Sequence, residues 1–199
     1  MLELPVLIED WVYECCGEVL RVGDHVELHL TLYGQVVPTD DDEGVEVLSD
    51  GRAQFVANPV RLVGEEDGYH KEGTRLVAGP VQFGVIGEVA SKVRCTGELH
   101  ETRHGDPDGV TAGTVLSLRR CDATYQKRGE RVWAVVGYEP GEDVPATYER
   151  RPPEPVRLPA GSSGSRGWVA RAPLVPDYEG DDAPPDGWAY RVVLGVQEP

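Results

Sequence analysis

His100-Glu101-Thr102-Arg103-His104 reads literally as H-E-x-x-H. In zinc peptidases that spacing puts two imidazoles on one metal, and the glutamate activates the metal-bound water. The chemistry needs a helix, because only there do residues i and i+4 share a face at close range. In a strand the two histidines would stand about 13 Å apart, whereas each zinc ligand must reach to about 2 Å. The residues before His100 alternate like a strand, and Gly105 and Pro107 stop any helix just past His104. Arg103 is an awkward charge inside such a motif. No histidine follows His104, so a third ligand would have to be an acid such as Glu130. The plainer reading of this stretch is a polar strand end running into a loop. Zinc hydrolysis through His100, Glu101 and His104 is kept as the alternative.

Cys15, Cys16, His25 and His29 form a second constellation of potential metal ligands. Their spacing is not that of a zinc knuckle. One histidine could meet Cys15 or Cys16 across a hairpin, with Cys95 or Cys121 completing a site. The simpler expectation is that the cysteines act as small hydrophobes and the histidines line the wetter strand face. No phosphate-binding loop and no dinucleotide fingerprint is spelled anywhere. Neither a catalytic set nor a cofactor is expected.

Those side chains must be carried by strands. From His25 to Leu32, His25, Glu27, His29 and Thr31 alternate with Val26, Leu28, Leu30 and Leu32, the period of a half-buried strand. Further strands are expected over Leu4–Tyr13, Val19–Val22, Lys92–Thr102, Thr114–Arg120, Arg131–Tyr138 and Tyr190–Val196. Arg52–Val63 carries a weaker strand pattern, and Trp168–Ala172 is a further strand candidate. DDDEG at 40–44 and the stretch 64–73 read as polar loops, and GDPDG at 105–109 as a turn. Ile86, Val89, Ala90 and Val93 also fit a helical stripe, so a short helix near 87–91 is an alternative. From 139 the chain becomes proline-rich and then reads GSSGSRG at 161–167, a linker or long surface excursion. The expected organisation is a β core over 1–138, an excursion over 139–187, and a strand within 188–199 returning to the sheet. The fold class is all-β: a compact antiparallel barrel or sandwich with long loops and little helix.

Segment 11–26, with Trp11, Cys15-Cys16-Gly17 and Val22-Gly23-Asp24, resembles an uncharacterised actinobacterial family of unknown function. The later Gly105–Gly109 loop and Gly113–Leu118 strand fit the same resemblance, with Ala112-Gly113 in place of its Thr-Gly. The resemblance implies a compact β-protein and assigns no activity or site residue.

The formal net charge is −16 over 199 residues. Phosphate-directed binding of nucleic acid or anionic membranes is disfavoured; the plainer reading of the charge is a solubilising acidic surface, which could also attract a basic protein partner. A non-enzymatic β-domain that binds a protein partner is the leading expectation, with an acidic mimic of DNA as a further alternative. No apolar run is long enough to span a membrane as a helix, and MLELPVLIEDW lacks the marks of a signal peptide. A cytoplasmic location with reduced cysteines is expected.

Overall fold

The computed structural model describes residues 1–9, 12, 20–63, 72–102, 108–130, 132–144, 178–179 and 188–197. These are nearly all strand: β1 (Leu2–Glu9), β2 (His25–Pro38), β3 (Gly44–Val47), β4 (Ala53–Val63), β5 (Gly73–Ala78), β6 (Val81–Ile86), β7 (Val93–Glu101), β8 (Gly109–Lys127), β9 (Val132–Asp143), β10 (Tyr178–Glu179) and β11 (Trp188–Val196).

The strands form one sheet in the order β10-β9-β8-β11-β1-β7-β2-β6-β5-β4-β3, with further pairings of β8 to β2 and β7 to β4. Those two extra ladders make the sheet close on itself without forming a regular barrel. One ring runs β1-β7-β2-β8-β11, and a second runs β2-β7-β4-β5-β6. Both share the β2–β7 ladder, which spans Leu30↔Glu101 to Pro38↔Val93. Pairing is antiparallel except at two short contacts, β1 with β7 and β2 with β6.

Alternation explains why these segments are strands. Leu28, Leu30 and Leu32 turn inward from β2, while His25 and Glu27 remain exposed. Val93, Cys95 and Leu99 of β7 turn inward between Arg94, Thr96 and Glu98. A single core results: Leu4, Val6 and Ile8 from the first ring and Phe55, Leu76 and Phe83 from the second belong to the same buried cluster. The Phe55 and Phe83 rings meet at 4.6 Å between centroids.

The shared ladder is possible because Gly34 faces Gly97. A Cβ on either would overlap the backbone of the facing strand, at Thr96 or Tyr33 respectively. This close approach lets two strands serve two rings at once.

Several expectations need correction. The first strand begins earlier than expected and runs Leu2–Glu9; residues 10, 11 and 13 of the expected Leu4–Tyr13 strand lie outside the described residues. Residues 20–22 of the expected Val19–Val22 strand lead into a turn at Val22-Gly23, where Gly23 donates its N–H to the Val115 carbonyl. The expected polar loop at 40–44 runs directly into β3. No helix forms at 87–91: Gly87 sits at φ 94, and residues 88–90 carry no regular structure. The expected strand over Thr114–Arg120 is the middle of the much longer β8, and β9 continues through Glu139–Asp143. Trp168–Ala172 lies outside the described residues. β11 returns between β1 and β8, with registers Leu2↔Val196 and Trp188↔Asp122.

Candidate functional site

His100 stands opposite Thr31 of β2 and beside Leu7 of β1, so it sits where three strands meet. Its side chain lies on the face of β7 that carries Thr96 and Glu98, away from Cys95 and Leu99. Yet only 8% of the residue is exposed. Its Nδ1–H donates to Oε1 of Glu9 at 3.0 Å, and Glu9 is itself buried. The opposite ring nitrogen, Nε2, lies 3.8 Å from Oε2 of Glu98. Arg191 of β11 completes the group, with a guanidinium nitrogen 3.8 Å from the other Glu98 oxygen. Tyr33 meets the imidazole edge-on, with centroids 4.7 Å apart.

Burial works against a charge on His100. The Glu9 hydrogen bond and the nearby charges of Glu9 and Glu98 outweigh it and hold the imidazole above its ordinary value. Glu98 is pulled below the usual carboxylate range by the neighbouring His100, against burial, and by the Arg191 charge. His100 thus lies between Glu9 and Glu98, and Glu98 in turn lies near Arg191. Beside them, Pro5, Leu7, Gly51, Glu98 and Arg191 line a hollow with room of about 10 Å³, enough for one water.

Glu101 follows His100 in the strand and so points to the opposite face, where it is 3% exposed and paired across to Leu30. The helix that H-E-x-x-H requires is not formed at His100-Glu101. His104 lies outside the described residues, and Glu130 is exposed beyond the end of β8.

The described members of the other constellation each have their own setting. His29 Nδ1 bonds a carboxylate oxygen of Asp108, and Arg75 holds Asp108 in turn, its Nε donating to the Asp108 carbonyl at 2.8 Å. His25 is exposed on the same face of β2. Cys95 is in the core, where burial pushes its thiol up to about 12. Cys121 is buried in β8. Cys15 and Cys16 lie outside the described residues. Among the described residues, no group of three or more His, Cys, Asp or Glu side chains is arranged to hold a metal ion. At His100 the reason is geometric: its two carboxylates take opposite ring nitrogens and do not converge on one point.

Sequence reasoning missed the partners of these histidines. Glu9, Glu98, Arg191, Arg75 and Asp108 carry no local motif, and only strand register brings them together. It also missed how the acidic loop before β3 is held. Thr39 and Arg94 bind the Asp41 carboxylate and keep it below its usual range. Lys92 donates to the Asp41 carbonyl at 3.0 Å. Glu43 accepts from Asn58 at 2.8 Å and from the Gly79 N–H at 2.6 Å. Asp40 and Asp42 remain exposed on this fixed loop.

A family model matches residues 2–155. The chain belongs to DUF6578, a family of unknown function. The DUF6578 match covers β1 to β9 and stops before β11, the strand that closes the first ring. No curated protein and no solved structure matches the chain. Among the described residues no helix is long and apolar enough to cross a membrane.

Proposed function

We propose that this DUF6578 chain is a non-enzymatic interaction module that binds a basic protein partner through its acidic surface. The observation that carries the reading is the loop between β2 and β3. Asp41 and Glu43 are used to anchor it, and Asp40 and Asp42 are thereby presented to solvent in a fixed arrangement. A preorganised loop loses less entropy on binding than a mobile one. The net charge of −16 adds a long-range attraction for a basic surface. His29 and His100 support the same reading, since each already holds a carboxylate partner that fixes the fold.

The test is affinity capture with the full chain, quantified against Asp40→Lys/Asp42→Lys. Both residues are exposed, so the double variant should fold normally. A specific partner enriched by the wild type, lost from the variant and weakened as salt rises from about 0.05 to 0.5 M supports the reading. Equal capture by both proteins, or no salt dependence, contradicts it.

A further inference from the structure

The sheet has an open edge at β3. β3 pairs with β4 from Gly44↔Val56 to Val47↔Ala53, and among the described residues no strand pairs with its other edge. The hairpin between the two strands sets which backbone groups face outward. Leu48 donates its N–H to the Arg52 carbonyl at 2.8 Å, so Leu48 and Arg52 are a hydrogen-bonded pair. Bonded and non-bonded pairs alternate along an antiparallel ladder. Glu46 with Gln54 and Gly44 with Val56 are therefore bonded, and Val45 and Val47 turn both N–H and C=O away from β4. Their side chains share one face, where Val45 packs against the core and Val47 is 40% exposed. Glu46 stands exposed on the other face. The edge is held at both ends. Before it, Glu43 binds Asn58 and Gly79; after it, Gly51 donates to the Leu48 carbonyl at 3.1 Å.

We propose that the outer edge of β3 receives an extended basic segment of a protein partner as an added strand. The inference rests on the acidic-surface reading and adds the partner's conformation and side-chain pattern to it. The N–H and C=O of Val45 and of Val47 supply the main-chain hydrogen bonds, as in strand addition generally. Alternation sets the pattern. Residues of the added strand on the face of Val45 and Val47 are apolar and cover the exposed Val47 side chain. Those on the opposite face stand beside Glu46 and are lysine or arginine, since opposite charges across a ladder attract. Asp40 and Asp42, exposed in the loop leading into β3, extend the same attraction beyond the strand. A second copy of this chain is a poor occupant. It would set Glu46 and the acidic loop against like charges on a chain of net charge −16. With four residues, β3 is too short to seed extended sheet growth, yet it presents Val45 and Val47 in succession to one bound segment.

The experiment is an NMR titration of the full chain with a blocked peptide of alternating lysine and valine, about seven residues long. The amides of Val45 and Val47 should shift, and at saturation should exchange with solvent about tenfold more slowly. The same peptide methylated on every backbone nitrogen keeps its charges and loses its donors, and should bind about tenfold more weakly. A glutamate–valine peptide should not bind. Val47→Pro removes an outward donor and no bond of the β4 ladder, and should weaken binding about fivefold. Asp40→Lys/Asp42→Lys should weaken binding but keep the Val45 and Val47 shifts at raised peptide concentration. The proposal is overturned if the lysine–valine peptide does not bind or if the glutamate–valine peptide binds equally well. Val45 and Val47 shifts that grow with protein concentration alone would make a second copy the occupant and overturn it too. So would a methylated peptide that binds as well as the parent, or shifts at Asp40 and Asp42 with none at Val45 and Val47. The acidic-surface reading survives these last two outcomes and falls only when capture ignores Asp40→Lys/Asp42→Lys. The methylated peptide decides the matter on wild-type protein should Val47→Pro not fold.

Discussion

At the scale of single residues, the described side chains best suited to chemistry are held by partners that fix the fold. His29 is engaged by Asp108, His100 by Glu9 and Glu98, and Cys95 is enclosed by the core. A thiol raised to about 12 carries almost no thiolate at neutral pH and is a poor nucleophile. In the native protein Cys95 should resist a thiol-specific reagent and become reactive only on unfolding. Rapid native labelling, located at Cys95 by mass spectrometry, would show that the core opens there. Asp108→Asn should leave the fold intact, because Asp108 is linked to His29 and Arg75 at a partly exposed position. A loss of about 1 kcal/mol is expected in denaturant unfolding, the scale of a partly solvated charged hydrogen bond. The histidines themselves were conspicuous in the sequence, but their partners were not. Glu9 lies 91 residues from His100, and Asp108 lies 79 from His29. In a chain with 35 acidic residues, nothing marks which carboxylate will meet which imidazole.

At the scale of elements, the β2–β7 ladder carries the architecture, since both rings use it. Gly34→Ala should therefore cost far more than an ordinary strand substitution, on the order of 3 kcal/mol, because its Cβ would overlap the Thr96 backbone. Urea unfolding checks this, and a loss below about 0.5 kcal/mol would mean the strands are not so closely apposed. Phe55→Ala should cost roughly 3–5 kcal/mol by opening a cavity against Phe83. Strands with strict alternation were legible: β2 from its leucines, and β7 from Val93, Cys95 and Leu99. The hairpin of β5 and β6 was not, because polar residues surround its start and Thr74 is buried where an apolar residue would have signalled a strand. β3 was hidden because it has only four residues and directly follows an acidic loop.

At the scale of the whole molecule, the all-β class followed from period-two patterning. The double ring did not follow. Closure depends on β7 meeting β4 and β1 in succession along one edge, and on β2 meeting β8 and β6 along one edge. Alternation fixes which face of a strand is buried, but not which neighbour lies on each edge. The acidic surface was legible from composition, whereas its fixed presentation required Arg94, Asn58 and Gly79, which come from three separate segments. What unites the scales is the use of His100 as a bridge between strands. The most direct measurement is the imidazole proton–nitrogen spectrum of the full chain at pH 6.5, with and without one equivalent of zinc. A His100 ring more than half cationic, its Nδ1 proton shielded from exchange by Glu9 and its resonances unmoved by zinc, is the expected result. A neutral ring whose nitrogen resonance shifts together with that of His104 when zinc is added would contradict the bridge and restore a metal-dependent chemistry.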